Sequence, residues 1–529
     1  MTTNTSDAGA STSPPRAKLV LLALVLVAGV ANLNLAVVGV ALPEIGEAFN
    51  ASQTSLNMIA VGYSLGLAAS VLYLGAIGDR HGRKMMLVLG ISLAIPASML
   101  AAWAPNQNVL FAARVFGGVA AGMAFPTTLS LITALWSGSP RIKSIAVWSA
   151  VGVAVSTLGP LVGGAILEFY WWGSIFLITI PLAVVAIFLS VRLVPSHVNE
   201  STDPIDNIGG FLSAVTIGAL IVAINFVAVP DRKLLVLCLA AIAMAGGIGF
   251  VFRQRRAEFP LYDLQVAARR IFWVTASAGV IVFGALMAAA FIGQQFLQNV
   301  LGYSTFQAGA SVLPIAVLVL LVAPRSATFV EARGARFTML IGYFAFLCGF
   351  LTMLLLWSED SPYWHVGIAY AFIGIGAGFC GTPMSRSLTA AAPVKRVGMA
   401  SGTADLQRDL GAAIMQSAMG ALLTAGYAAA MAVSIAGAPN ADQITETTQS
   451  QLQMSFAGAA NVAKEYPQYA DAITTAAKEA FIQGSNWAYA VGTLLVLVGM
   501  ALVFFFFPKR AAEEKLLADY HDADTAIET

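Results

Sequence analysis

Windows of roughly 20 apolar residues recur along the chain from Leu19 to Phe507, separated by charged or Pro/Gly-rich punctuation. A helix rising about 1.5 Å per residue crosses the hydrocarbon core of a bilayer in about 20 residues. Each window therefore predicts a membrane span. Fourteen follow, near 19–42, 56–77, 85–104, 109–135, 144–167, 174–194, 207–229, 234–252, 271–296, 308–324, 337–357, 365–391, 399–428 and 485–507. The first is longer than a signal-peptide core and lacks an A-x-A cleavage pattern, so it reads as a retained span.

Composition removes the soluble alternatives. Hydrophobic residues make up 58% of the 529 residues and charged residues 10%, against about 25% charged in an ordinary soluble domain. The prediction is an all-α polytopic membrane protein. With an even number of spans both termini share one side. Of 28 Lys and Arg, 21 fall on that side, 4 on the other and three within spans, which by the positive-inside rule makes the terminal side cytoplasmic. Localisation in the cytoplasmic (inner) membrane follows as an expectation.

An internal repeat shows in the loops after spans two and ten. "DRHGRK" (79–84) aligns with "EARGAR" (331–336) at an offset of 252 residues, and the same offset carries Leu19 onto Ile271. The expected organisation is a disordered cytoplasmic N-terminus (1–18), a six-helix bundle (19–194) and a linker carrying two inserted spans (195–270). A second six-helix bundle (271–507), with a periplasmic loop at 429–484, and a cytoplasmic tail (508–529) complete it. Paired bundles with a site between them near midplane are the design of rocking transporters. Loop 429–484 reads as two helical pieces broken at Pro467, either covering the outer vestibule or lying on the lipid surface.

The loop "GAIGDRHGRKMML" (75–87) sets Gly75, Gly78, Asp79, Arg80, Gly82, Arg83 and Lys84 at spacings suited to a tight turn between two helices. Glycines permit close approach there, and Asp79 can bind a helix N-terminus or a neighbouring arginine. A solvated basic loop explains the arginines but not the glycine spacing. This stretch resembles the G-x-x-x-D-R-x-G-R-[KR] loop of the major facilitator superfamily. "GVAVSTLGPLVGG" (152–164), with Gly152, Gly159, Pro160, Gly163 and Gly164, resembles that superfamily's antiporter motif in the fifth span. As plain packing it would be only a contact face between helices. "RVFGGVAAG" (114–122) is similar to its fourth-span R-x-x-Q-G motif, with Arg114 kept and Gly117 where glutamine is usual. The fourteen spans and "FLQNVLGYSTFQAGASVLP" (296–314) are similar to the 14-span drug:proton antiporter branch.

The chain departs from that branch in its first span. The branch usually carries an aspartate before "VALP", whereas "LNLAVVGVALP" (33–43) places Asn34 there. An amide cannot carry a proton. Counting about 1.5 Å per residue along antiparallel helices puts Asn34 and Arg114 at similar depth in the outer half, which makes both candidate substrate-cavity residues. If they meet, Arg114 has an amide partner, and only a substrate or Glu168 would compensate its charge. Glu168, at the outer end of the fifth span, reads more simply as an interfacial residue.

Acid reappears in "TADLQRDLGAA" (403–413), which holds Asp405, Arg408 and Asp409 in the thirteenth span. Each charge near the bilayer centre costs roughly 2.5–3.5 kcal/mol, so all three must face protein or a water-filled cavity. Asp405 and Asp409 are four apart and share a helix face, and Arg408 can pair with Asp405. Asp409 lies deeper. These residues are the candidate proton-coupling group, and a structural Asp405–Arg408 pair is the competing reading. Arg386 reads as a residue snorkelling toward the membrane surface.

Cys238, Cys348 and Cys380 lie in apolar windows and read as packing residues. The four histidines have no ligand spacing, so neither a metal nor another cofactor is expected. No phosphate-binding loop, HExxH or soluble catalytic domain is present in the sequence, which argues against an enzyme and against direct use of ATP. The expected function is proton-coupled efflux of amphiphilic organic compounds by alternating access, by a monomer surrounded by membrane lipids and with no nucleic-acid partner. Transport of lipids or envelope precursors is the first alternative, and a non-transporting sensor or scaffold the second. The loop motif yields one expectation. Asp79 should steady the outward-facing state from near the start of the thirteenth span, so Asp79→Asn should lower turnover several-fold while leaving substrate affinity nearly unchanged. Transport kinetics across a substrate titration separate the two.

Overall fold

The computed structural model describes residues 13–196, 204–229, 232–393, 397–439 and 441–528. Most of the expected disordered segment 1–18, together with Lys395 and Arg396, lies outside the described residues. The described chain is helical, and fourteen of its helices are long and apolar enough to cross a membrane.

Spans one to six are α1 (Ala17–Ala36) with its continuation α2 (Val38–Phe49), α3 (Gln53–His81), α4 (Arg83–Ala102), α5 (Gln107–Leu135), α6 (Gly138–Leu167), and α7 (Ser174–Leu177) leading into α8 (Thr179–Leu193). Spans seven and eight are α9 (Asn207–Phe226) and α10 (Lys233–Arg256), followed by the short α11 (Leu264–Ala267). Spans nine to twelve are α12 (Arg270–Asn299), α13 (Thr305–Ala310) running into α14 (Leu313–Arg333), α15 (Ala335–Leu356) and α16 (Tyr363–Ala390). Span thirteen is α17 (Val397–Ala436), and α18 (Glu446–Met454) and α19 (Phe456–Glu465) precede span fourteen, α20 (Ala470–Phe506). A tail helix, α21 (Arg510–Glu528), ends the chain.

Polar side chains start the helices where the apolar windows begin. Ser52 caps α3 by accepting from Ser55 N, Asn106 caps α5 through Asn108 N and Val109 N, and Ser304 forms a reciprocal capping box with Gln307 on α13. The loops related by the 252-residue offset share a conformation. Gly82 joins α3 to α4 at φ 118°, and Gly334 joins α14 to α15 at φ 87°, a region that glycine enters without steric cost. Each glycine ends one helix and begins the next.

Spans one to six pack mainly on one another, as do spans nine to fourteen, while α9 lies against both α3 and α17. Tyr73 of α3 donates to Asn207 Oδ1 (2.9 Å), and Asn225 Nδ2 of α9 donates to Ser417 Oγ of α17 (2.6 Å). The inserted pair is thus fastened to both bundles by the same helix. Asp206 caps α9 through Gly209 N and also holds Arg253 and Gln254 of α10. The tail helix closes the terminal face of the second bundle. Arg269 forms an ion pair with Asp524, Arg510 Nη1 donates to Ala332 O (2.9 Å), and Leu516, Leu517 and Tyr520 pack on the core.

Three helix ends run well past expectation for one reason, the end of span ten at Arg333 among them. Span thirteen runs on to Ala436 and span fourteen begins at Ala470, because these helices project beyond the apolar window that defines a span. Loop 429–484 is correspondingly shorter as a loop, and its middle docks on protein. Ser455 Oγ donates to Ala51 O (2.8 Å), Asn461 Nδ2 to Asn50 Oδ1 (3.3 Å) and Lys464 Nζ to Glu47 Oε2 (2.8 Å). The middle of the loop is thus fixed to the turn between α2 and α3.

The hydrogen bonds between the two bundles gather at the face opposite the termini, the far face. Gln53 Nε2 donates to Gln295 Oε1 (2.9 Å), Asn57 Nδ2 to Thr424 Oγ1 (3.2 Å), Gln298 Nε2 to Val40 O (3.0 Å) and Thr305 Oγ1 to Gly164 O (3.1 Å). Close backbone packing accompanies them. A Cβ on Gly164 would lie 2.3 Å from Thr305 O, and one on Gly309 would lie 2.3 Å from Pro160 O. The far face is closed. Adding the missing methyl at Gly309 should oppose that closure by about 1–3 kcal/mol, an overpacking cost that shifts the balance toward a far-open state roughly 5- to 150-fold. Spin-label distances between the far ends of α6 and α14 should lengthen in Gly309→Ala. Gly75→Ala, where a Cβ meets nothing within 4 Å, should leave them unchanged.

Candidate functional site

The candidate residues fall into three groups: the two motifs, which lie apart from each other, Arg114 with Asn34, and the charged residues of α17. The loop motif lies at the terminal face, where Arg83 Nε donates to Asp79 Oδ1 (2.9 Å) and Lys84 Nζ donates to Val191 O (2.9 Å). Gly78 packs on Met86, and Arg80 is exposed. In this conformation Asp79 is held by its own loop, four residues on, and among the described residues no bond to α17 is present. The antiporter-motif helix α6 lies on two neighbours. Gly159 and Gly163 face Ala36, Val37 and Val40 of the first span, Gly152 faces Asn32, and Gly164 and Pro160 face Thr305 and Gly309 of α13. The stretch 296–314 therefore meets the antiporter-motif helix through Thr305, which bonds Gly164 O, while just beyond the motif the backbone N–H of Phe306 donates to Glu168 Oε1 (3.2 Å) and Gln298 bonds Val40 O of the first span. Glu168 is at the far face and takes no part in the surroundings of Arg114.

The second group is inside the first bundle. Arg114 of α5 is 2% exposed, with Nη1 donating to Asn34 O at 2.7 Å and Nε to Ile59 O at 3.4 Å. Asn34 and Arg114 do meet, but through the backbone carbonyl of Asn34. The Asn34 amide is turned back on its own helix, where Nδ2 donates to Val30 O (3.2 Å). The reason lies at the break between α1 and α2, where a helix carbonyl is presented to the guanidinium. Tyr63 and Phe176 sandwich the guanidinium, with ring centres 4.9 and 5.7 Å from Cζ.

The third group is on α17 at the seam between bundles. Arg408 Nε donates to Asp409 Oδ1 (3.2 Å), and its guanidinium lies 4.6 Å from the Phe125 ring of α5. The pairing expected between Asp405 and Arg408 is replaced by one with Asp409. Neighbouring residues on a helix point apart, and the aromatic face of Phe125 draws the guanidinium round toward Asp409. Asp409 is 1% exposed and its Oδ2 has no partner among the described residues. Asp405 stays within electrostatic reach of both.

Sequence reasoning missed two groups. Tyr63 of α3 stands within electrostatic reach of Arg114 on one side and of Asp409 and Arg408 on the other, and it shares a core cluster with Phe125. Nothing in its local sequence distinguishes it from an ordinary span tyrosine. The second group is the far-face amide set of Gln53, Asn57, Gln295 and Gln298, whose signal was available as amides clustered at the ends of two apolar windows.

The sequence profile described as Major Facilitator Superfamily matches residues 24–416. The chain belongs to that superfamily. Among curated relatives it is 31% identical to "Multidrug efflux pump LfrA" of Mycolicibacterium smegmatis, over 93% of this chain and 96% of that one. It is 28% identical to "Methyl viologen resistance protein SmvA" of Salmonella typhimurium, over 92% and 97%. A solved bacterial homolog of the human lysosomal transporter Spinster, inward-facing and unoccupied, aligns with TM-score 0.63 and 16% identity over 96% of this chain and 99% of that one. This major facilitator is accordingly a multi-pass membrane transporter.

The far face of the transporter also carries a group sensitive to pH. Burial, then Glu47 and Glu168, push the Glu44 carboxyl up to about 7. Hydrogen bonding from Ser304, then from Phe306 N, holds Glu168 below the usual carboxylate range. A raised carboxyl stabilises the folded protein in its protonated form. That stabilisation is complete below the ordinary value near 4.5 and is lost as pH rises through about 7. The stability of the folded protein should therefore fall between pH 5 and pH 8, and Glu44→Gln should flatten the dependence, as read by thermal unfolding midpoints across that range.

Proposed function

We propose that this chain exports amphiphilic organic compounds, drugs among them, across the cytoplasmic membrane by alternating access driven by proton influx. The observation that carries this reading is Asp409, a buried carboxylate with one oxygen on Arg408 and the other without a partner, at the seam that must open and close. The printed names of the relatives, multidrug efflux pump and methyl viologen resistance protein, support the substrate class. The excess of Lys and Arg on the terminal side supports cytoplasmic termini, in which case the closed far face makes this an inward-facing conformation.

On this reading a proton and the substrate compete across the seam. Asp409 takes the proton when the cavity faces the outside, which weakens its hold on Arg408 as the bundles rock. Tyr63 joins this seam to Arg114 in the first bundle. A ligand can shift the equilibrium only by its differential affinity for the two states, and a charge change at Asp409 supplies such a difference for the proton. Transport of lipids or envelope precursors is favoured by one feature, the uncharged Asn34 in the first span. The chain acts as a monomer on this proposal.

Reconstitution in proteoliposomes with an imposed pH gradient tests it, using a panel of cationic drugs, neutral drugs and lipids. Asp409→Asn should abolish pH-driven accumulation while sparing binding and downhill exchange. Asp405→Asn leaves the Arg408–Asp409 contact in place and should reduce accumulation without abolishing it. Continued uphill accumulation by Asp409→Asn places the coupling acid elsewhere, and accumulation of lipids alone selects the other substrate class.

A further inference from the structure

Arg114 is a full positive charge inside a helix bundle, and arginine is not deprotonated in proteins. Buried charges are ordinarily paired. Among the described residues no carboxylate pairs with it, and Tyr63 is the titratable group that acts on it. Two of its nitrogens donate to the neutral carbonyls of Asn34 and Ile59. The third, Nη2, is buried and has no partner. Arg114 lines a small cavity with Asn34, Tyr63, Ser98, Gly117 and Phe176, in which the centre of one small particle, a water or a monatomic ion, has about 10 Å³ of room.

We propose that this cavity is a binding site for a single small inorganic anion of halide size, chloride in the first instance, held by Arg114 Nη2. The donor set suits such an ion. A guanidinium provides directed N–H groups and the charge, and the surrounding rings and small residues exclude bulk water, which strengthens the attraction. The size of the cavity excludes the carboxylate of an amphiphilic substrate. The ion would do for Arg114 what a carboxylate at position 34 would do covalently, so the two are alternatives. This inference concerns a bound counter-charge within one bundle and does not rest on the proposed proton coupling at Asp409.

The test is ligand-linked stability of the purified full-length protein in detergent, with no gradient and no transport step. A ligand that binds the folded state raises the unfolding midpoint with its concentration. Titration with sodium chloride against sodium gluconate at constant ionic strength should raise the midpoint by several degrees along a saturating curve, with bromide reproducing the effect. Asn34→Asp should show a raised midpoint in gluconate and no further response to chloride. Arg114→Gln should also lose the response. Identical wild-type curves in chloride and gluconate overturn the proposal whatever the variants do, as does an Asn34→Asp protein that keeps the full wild-type response.

Discussion

Hydrocarbon offers no partner to a polar atom, and that single constraint arranges every charged and amide side chain within the spans. Arg114 is wrapped by α3, α5 and the first span, Asp409 is turned to the seam, and the far-face amides are paired across the bundles. The lipid-facing surface is left to side chains such as Phe188, Leu237 and Phe505, which are well exposed on the protein. Polar groups that cannot face outward must find one another, and the bundle interior is therefore where the chemistry collects.

Closeness between bundles has a second origin, in residues without side chains. Gly159, Gly163 and Gly164 place the backbone of α6 against the first span and α13, where packing and short polar contacts replace the hydrophobic drive that lipid does not supply. The same helix thus carries contacts inside its bundle and across the seam. A motion that parts α6 from α13 releases Thr305 and Phe306 together with Gly309, which is why the far face has the character of a latch and not of a graded surface.

The two loops related by the internal offset have diverged in what holds them. Asp79 is answered by Arg83 within its own loop. At the corresponding place in the second bundle Ala335 stands where Arg83 would be, and the tail helix supplies the contacts instead. Arg510 packs on Gly334 and bonds Ala332 O, and Glu513 accepts from the backbone of Ala335. Burial first, set against that hydrogen bond and the nearby Arg386, leaves the Glu513 carboxyl raised. One bundle therefore carries a loop held by its own ion pair, and the other a loop clamped by the tail helix.

Much of this architecture was legible in the chain alone. The number of spans, the all-α fold, the repeated turn at Gly82 and Gly334 and the concentration of charge at 405–409 follow from local facts: how many apolar residues cross a bilayer, where only glycine bends, and what a buried charge costs. Pairing did not follow. The sequence equally allowed Arg408 to meet Asp405, which shares its helix, but Phe125 on a helix nearly 300 residues earlier draws it to Asp409. Depth counting brought Asn34 and Arg114 together, yet only the break between α1 and α2 decided that a carbonyl, and not the amide, receives the guanidinium. Tyr63 acquired its place between two charged groups from packing alone. Spacing along one helix determines what a residue can reach, whereas the partner it takes depends on which other helices arrive there, and that is settled only when the bundles close.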